Sequence, residues 1–204
     1  MKTIYIYLLD SMAEWEIGNI LQAVSMEKAV RKEEPEYQVK TFGLTRNSVK
    51  TIGGLRLIPD LSIDEIIEED MVALLLPGGE TWSDKMHDEV LDKAEETLKK
   101  GTVVGAICGA TLAIAERGLL DKYKHTSNSI DYLSYFSKTY QGHSHYVDTL
   151  AVSDQNLITA SVAGGLEWAK LIIESLKIYP DGKTDLWYKF FKTGKAEYYM
   201  HLIS

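Results

Sequence analysis

The chain has 204 residues, of which 45% are hydrophobic and 25% are charged, and its formal net charge is −8 at pH 7. These values predict one globular domain over 1–204 with a single hydrophobic core. They exclude non-specific nucleic-acid binding, which needs clustered lysine and arginine, and no apolar run reaches the roughly 20 residues of a membrane-spanning helix. A single cysteine excludes an internal disulfide and a thiolate-rich zinc site, so the sequence predicts a cytoplasmic protein without a metal or other cofactor.

The N-terminal segment predicts a buried strand over 3–9. Its lysine and apolar run resemble a signal peptide, but the run stops at Asp10 and acidic residues follow at Glu14 and Glu16. Apolar residues then recur at helical spacing, which predicts an amphipathic helix over 14–30.

The middle of the chain alternates between strand and helix patterns. The segment MVALLLPGG is a continuous apolar run, as expected for a strand buried on both faces of a parallel sheet. The predicted elements are a strand over 37–44, a hairpin over 49–60 that turns at Gly53-Gly54, a strand over 71–79, a helix over 85–99, a strand over 101–107 and a helix over 109–117.

The second half of the chain is less regular. It predicts a short strand over 124–128, a short helix over 129–138, two strands over 145–152 and 156–161, and a helix over 164–176. The aromatic segment 181–204 predicts a helical tail that packs on the domain or forms a dimer contact.

Alternating strands and helices predict a mostly parallel sheet covered by helices on both faces. Ligands in such folds bind outside the carboxyl ends of the strands. The candidate functional segments are therefore the three turns that hold DSMAEWE, PGGE and CGA.

Cys108 lies at one of these strand ends, between small residues in the sequence AICGA. This pattern favours a nucleophile elbow, because a sharp strand-to-helix turn has no room for bulky neighbours. The free N–H groups of the following helix are expected to lower the pKa of the thiol. The alternative is a small buried core residue.

Two further features point toward the same pocket. The N–H groups of Gly79 and Gly109 are candidates for an oxyanion hole beside Cys108, although Pro-Gly-Gly is also an ordinary turn signal. Glu16 follows the first strand, where an acidic residue is an ordinary partner of the helix dipole. If its carboxyl instead faces the thiolate, we expect it to keep a proton and donate a hydrogen bond to sulfur.

The combination of LLDSMAEWE, LLLPGGE and GAICGAT, in this order, resembles the ThiJ/PfpI superfamily. The resemblance extends to about residue 176. It implies a flavodoxin-like three-layer α/β/α sandwich related to class I glutamine amidotransferase domains, and a homodimer. It also implies a catalytic role for Cys108 and Glu16, with oxyanion-hole amides at Gly79 and Gly109. The family includes the Parkinsonism-associated deglycase, PfpI-type intracellular proteases and glyoxalase III-like enzymes.

The chain departs from that family where its members place a histidine. PfpI-type members carry it directly after the cysteine, where this chain has Gly109, and the deglycase-like branch carries it twenty residues later, where this chain has Asn128. Asparagine cannot accept a proton at neutral pH. His125, His143 and His145 remain candidates for reaching the pocket, and the sequence assigns none of them as a base.

These observations predict a cysteine-dependent hydrolase or lyase that acts on a small carbonyl, amide or glycated substrate. The alternative is a non-enzymatic stress or redox-sensing protein in which Cys108 is oxidised to a sulfinate stabilised by a nearby acid. A third hypothesis is an unreactive amidotransferase-like domain that binds a ligand. Further candidate pocket residues are Gly78, Glu80, Asn128 and His125.

Overall fold

The computed structural model describes residues 1–204 and contains a seven-stranded central sheet. The sheet order is β5-β2-β1-β6-β7-β9-β8, and only β8 runs antiparallel to its neighbour. Two further strands, β3 and β4, form a separate antiparallel pair. The nine strands are β1 (Lys2–Tyr7), β2 (Tyr37–Gly43), β3 (Val49–Lys50), β4 (Arg56–Leu57), β5 (Leu61–Ser62), β6 (Met71–Leu76), β7 (Val103–Ile107), β8 (Ala151–Asp154) and β9 (Leu157–Ala160).

Eight α-helices accompany the sheet, together with short 3-10 turns at Glu14–Ile17, Ile63–Glu65, Glu68–Asp70, Lys85–His87 and His143–His145. The helices are α1 (Gly18–Ser25), α2 (Glu27–Arg31), α3 (Asp88–Lys99), α4 (Gly109–Glu116), α5 (Ile130–Phe136), α6 (Gly165–Leu176), α7 (Lys183–Thr193) and α8 (Ala196–Ile203). No helix combines the length and the hydrophobicity needed to cross a membrane.

The strand order places a topological switch point between β1 and β6. The chain leaves β1 toward β2 on one side, whereas it leaves β6 toward β7 on the other. Right-handed crossovers in opposite directions put their helices on opposite faces of the sheet, and the loops after the two strands diverge and leave a crevice. The predicted flavodoxin-like α/β fold with C-terminal helices is therefore confirmed.

The predicted helix over 14–30 is divided into a 3-10 turn, α1 and α2. The break lies at Met26, whose N–H is shared between the carbonyls of Gln22 and Ala23. Directly after the break, the buried Glu27 carboxylate accepts hydrogen bonds from the N–H groups of Glu36 and Tyr37. The segment therefore bends to hold the start of β2, and the periodicity alone does not reveal this bend.

Two predicted strands of the second half are wrong or too long. Segment 124–128 forms only one bridge, between His125 and Tyr146, because β7 and β8 already occupy both edges of β9. The strand predicted over 145–152 is reduced to β8, which pairs with the four residues of β9. Since β9 ends at Ala160, the residues before Ala151 have no further strand residues of β9 to pair with.

The C-terminal tail forms two helices rather than one, separated at Gly194, which has a φ of 69°. Trp187 of α7 is fully buried, and its indole N–H donates to Gln22 Oε1 over 2.7 Å. Leu202 of α8 is also fully buried. The tail therefore packs on the domain, which was one of its two expected roles.

Candidate active site

Cys108 stands on a sharp turn between β7 and α4. Its backbone has φ 55° and ψ −123°, a conformation that is strained for a residue with a side chain. Because the turn is so tight, the thiol is presented at the carboxyl edge of the sheet, beside the crevice. The side chain is partly buried, so it is accessible without being freely solvated.

Four hydrogen bonds hold the strained residue in place. The Cys108 N–H donates to the Ala160 carbonyl over 3.0 Å. The Cys108 carbonyl accepts from the N–H and the hydroxyl of Thr111, over 3.1 and 2.6 Å. The Thr111 hydroxyl also lies 2.6 Å from the Ser127 hydroxyl. The conformation is thus over-determined by its surroundings, as is typical of functional residues.

Glu16 lies in the 3-10 turn that precedes α1, and it reaches the same crevice. It is only 1% exposed, and its Oε2 accepts the Gly78 N–H over 2.6 Å. A side-chain carbon on Gly78 would lie 2.8 Å from Cys108 Cβ and 2.9 Å from Glu16 Oε2, so Gly78 separates the two groups with no spare room. The second carboxyl oxygen, Oε1, is buried without a hydrogen-bond partner.

The two acidic groups are coupled. Burial raises the pKa of Glu16 to about 7, against smaller lowering effects of the Gly78 N–H and the thiol. Burial and then the Glu16 charge raise the pKa of the Cys108 thiol, while Asn128 and the Gly109 N–H lower it. Because neighbouring anions repel, the two groups titrate as a coupled pair, in which ionisation of one makes ionisation of the other less favourable. The thiol pKa therefore moves opposite to the direction expected from the helix terminus alone.

Gly79 and Gly109 each have a backbone N–H without a backbone acceptor, and both residues line the cavity that holds Cys108. The Gly79 N–H makes no hydrogen bond within the backbone, and Gly109 is the first residue of α4, where an N–H has no helical acceptor. A side-chain carbon on Gly109 would lie 2.7 Å from the Gly79 carbonyl, so the two turns are in contact. This arrangement can bind a negatively charged oxygen formed beside Cys108.

Asn128 occupies the position next to the thiol where a base would be useful. Its Nδ2 lies 3.5 Å from Cys108 Sγ, while its Oδ1 accepts the Val162 N–H over 2.9 Å. Because that acceptor fixes the amide orientation, Asn128 presents its NH₂ group to sulfur and stabilises a thiolate. It cannot remove a proton.

His125 lies outside the cavity, so its prediction as a candidate pocket residue was wrong. It is fully buried, and its Nδ1 donates to the Tyr123 carbonyl over 2.7 Å while its Nε2 accepts from the Tyr140 hydroxyl over 2.7 Å. Both ring nitrogens are occupied, and burial lowers the pKa of the ring. His125 is therefore a neutral structural residue of this fold, and His143 and His145 do not line the cavity either.

We expect His125→Leu to destabilise the protein and leave the thiol unchanged. The substitution leaves two buried polar groups without partners, which costs about 2–4 kcal/mol in the free energy of unfolding. Urea unfolding measures this loss, and the rate of Cys108 alkylation by iodoacetamide measures the site. Asn128→Ala is the matched control, expected to alter the alkylation rate with a stability change within about 1 kcal/mol. A changed alkylation rate in folded His125→Leu would contradict the structural assignment.

The thiol opens into a cavity of about 520 Å³. Glu16, Gly78, Gly79, Glu80 and Gly109 line it together with Cys108, so the cavity brings together most of the residues singled out in the sequence. The lining residues that sequence analysis did not identify include the large side chains of Trp15, Ile52, Trp82, Tyr132, Phe136 and Val162. One local signal was available, since Ser129 caps α5 through the Tyr132 N–H and aromatic residues then repeat along that helix.

Known proteins resemble this chain in sequence and in fold. The DJ-1/PfpI family model matches residues 2–175. The chain is 36% identical to the uncharacterized protease YoaZ of Bacillus subtilis, over 100% of this chain and 97% of the relative. It is 23% identical to the glutathione-independent glyoxalase DJR-1.2 of Caenorhabditis elegans, over 69% of this chain and 74% of that protein.

A solved structure has nearly the same fold throughout. The thiJ/pfpI family protein of Bacillus anthracis superposes with a TM-score of 0.94 at 37% identity, over 99% of this chain and 95% of that chain. The family model and this similarity both extend over most of the sequence, and the catalytic-type elbow lies within the matched region. The chain belongs to the DJ-1/PfpI family.

Proposed function

We propose that this protein is a cysteine-dependent enzyme that adds water to small α-oxoaldehydes or hydrolyses related carbonyl substrates, with Cys108 as nucleophile. The observation that carries the proposal is the buried Glu16 carboxyl, whose pKa is raised to about 7, next to a thiol on a strained elbow. Relatives named protease and glyoxalase are consistent with hydrolase-type chemistry.

The first step starts from the reactive form of the pair, in which Glu16 is protonated and Cys108 is ionised. In this form the sulfur is a thiolate that Asn128 and the start of α4 stabilise. Its attack on the aldehyde carbon forms a C–S bond and moves the C=O electron pair to oxygen. The N–H groups of Gly79 and Gly109 bind this oxygen, which then takes the proton from Glu16.

The product can form without an oxidant. The Glu16 carboxylate takes the former aldehyde hydrogen as a proton and returns it to the adjacent carbon, while the proton on the first oxygen passes to the ketone oxygen. The first carbon is thereby oxidised and the second reduced, and a thioester results. Water then releases a 2-hydroxy acid and restores the thiol, so the net change is the addition of one water. Peptide hydrolysis is less favoured, because its leaving amine needs a proton donor such as histidine, and no histidine lines the cavity.

A comparison of substrate classes tests this proposal. We expect turnover of methylglyoxal to a 2-hydroxy acid, and no measurable cleavage of an unstructured peptide at the same enzyme concentration. Chiral chromatography of the acid and mass spectrometry of the peptide are the two measurements. Peptide cleavage without methylglyoxal consumption would reject the proposed reaction in favour of a protease.

A redox-sensing function is the second candidate. The buried Glu16 Oε1 lacks a hydrogen-bond partner, and a protonated carboxyl at this position can donate to a sulfinate oxygen formed on Cys108. The same pair of residues would thus serve as a sensor if the protein has no substrate.

A further inference from the structure

The cavity around Cys108 carries negative charge and no balancing cation. Three carboxyl groups line it, those of Glu16, Glu80 and Glu116, whereas no lysine, arginine or histidine does. Glu80 and Glu116 are exposed at its rim. Because the formal net charge of the whole chain is −8, the long-range field repels anions as well.

The arginine closest in sequence to this rim does not relieve the negative charge. Arg117 follows Glu116 directly, but its guanidinium binds Asp88 at 2.9 Å and Asp92 at 2.6 Å. These contacts tie α4 to α3 and neutralise the arginine there. An anionic group entering the cavity would therefore meet carboxylates without a counter-charge.

The walls and mouth of the cavity are aromatic. Trp15 is 53% exposed and Phe136 is 56% exposed, although both are large apolar side chains. Behind them, the rings of Tyr132 and Phe136 lie 5.2 Å apart at 56°, and Trp82 is fixed by its N–H, which donates to the Pro77 carbonyl over 2.9 Å. Apolar groups gathered at the mouth of a polar site are typical of a binding surface for a flat apolar ligand.

The polar groups that face the interior are suited to a neutral carbonyl group. Burial raises the pKa of the Tyr132 hydroxyl, and the thiol raises it further, so Tyr132 keeps its proton at neutral pH. It can therefore donate a hydrogen bond, as can the backbone N–H groups of Gly79 and Gly109. No cationic group is present to form an ion pair with a substrate carboxylate or phosphate.

We propose that this cavity takes carbonyl compounds that carry an aryl group and are uncharged or positively charged, and that it excludes anionic compounds of the same size. The assignment rests on the proposed function only in placing the carbonyl carbon at Cys108. The aryl group lies between Trp15, Tyr132 and Phe136, where a ring contacts apolar surface and an attached cation gains cation–π attraction.

The test uses three probes of the same shape, which are benzamide, benzamidinium and benzoate, with acetamide as the probe that lacks the ring. Cys108 is the only cysteine, so the rate of its alkylation by iodoacetamide reports occupancy of the cavity. We expect benzamide and benzamidinium to protect the thiol from alkylation. The affinities of benzoate and of acetamide should each be lower by at least about tenfold, which corresponds to about 1.4 kcal/mol in binding free energy. Equal protection by benzoate and benzamide, or by acetamide and benzamide, would overturn the proposal.

Three surface variants locate the effect. Phe136→Ser is expected to remove most of the advantage of benzamide over acetamide, whereas Tyr135→Ser, on the same helix but 81% exposed and outside the cavity, should leave it unchanged. Glu116→Gln should strengthen benzoate relative to benzamide. If neither Phe136→Ser nor Glu116→Gln changes the ratios, the assignment to this cavity fails.

The two proposals fail in different ways. If the proposed reaction is wrong, no turnover will be seen, but the probes will still protect Cys108 in the expected order, because the protection assay needs no catalysis. If the proposed preference for aryl substrates is wrong, turnover will still depend on Cys108, but kcat/KM will be no higher for phenylglyoxal than for methylglyoxal.

Discussion

Replacing Cys108 by serine is expected to lower kcat/KM for an α-oxoaldehyde by at least about 10³-fold, a loss typical for removal of a catalytic nucleophile. A serine hydroxyl has a much higher pKa than a thiol, so it needs a base to become nucleophilic. The neighbouring groups do not supply one, since Asn128 is an amide and Glu16 is protonated in the proposed reactive form. The steady-state rate of 2-hydroxy acid formation is the measurement.

The serine variant should fold normally, because one atom changes and the hydrogen bonds that hold the elbow come from the backbone of Cys108. Ser83→Ala is the matched control, since Ser83 also lines the cavity but has no part in the reaction, and its activity should stay near wild type. Full turnover by Cys108→Ser would exclude the proposed mechanism. Redox sensing is favoured instead if the wild-type protein turns over no carbonyl substrate and its intact mass after mild peroxide shows two oxygens added at Cys108.

Glu16→Gln is expected to change how the stability of the protein depends on pH. Burial raises the pKa of Glu16 from the model-compound value of 4.5 to about 7 in the folded state, so between these values the folded protein binds the proton more tightly than the unfolded chain does. Stability from this group is therefore greatest at low pH and declines as pH rises to about 7. At about 1.4 kcal/mol per pK unit, the wild-type free energy of unfolding falls by about 2–3 kcal/mol between pH 5 and pH 8 on this account.

Glutamine cannot ionise, so the variant should lack this decline while keeping the acceptor for the Gly78 N–H. Urea unfolding at pH 5 and pH 8 measures the difference between wild type and variant. Glu14→Gln is the control, because a backbone hydrogen bond lowers the pKa of that exposed carboxyl. The Glu14 carboxyl stabilises the folded protein at higher pH, and this contribution is lost only as pH falls below the pKa of Glu14 in the unfolded chain. Between pH 5 and pH 8 the stability curve of Glu14→Gln should therefore run parallel to that of wild type. Parallel curves for Glu16→Gln and wild type would show that Glu16 is not protonated in the folded state.

The same variant reports on the thiol. The Glu16 charge is one of the causes that raise the pKa of Cys108, so its removal should shift the midpoint of the alkylation rate to lower pH. An unchanged midpoint would show that the Glu16 charge does not act on the thiol.

Local sequence patterns determined much of this protein. Continuous apolar runs predicted β6 and β7, since strands buried on both faces have no alternation. Small residues around Cys108 predicted the elbow, because the sharp turn excludes bulky neighbours, and the glycines after Pro77 marked a second turn at the same edge of the sheet. Each of these inferences depends on residues within a few positions of one another.

The tertiary structure alone decided which distant groups meet. Glu16 and Cys108 are far apart in sequence, and the topological switch point between β1 and β6 brings them to either side of Gly78. It also decided that Asn128 contacts the thiol while His125, three residues earlier, is buried between Tyr123 and Tyr140. Backbone direction and packing set these outcomes, and neither is encoded in local spacing. For the same reason the aromatic wall from α5, which gives the cavity its selectivity in our proposal, was not predicted from the sequence, because the position of α5 over Cys108 depends on how the whole sheet and its loops are packed.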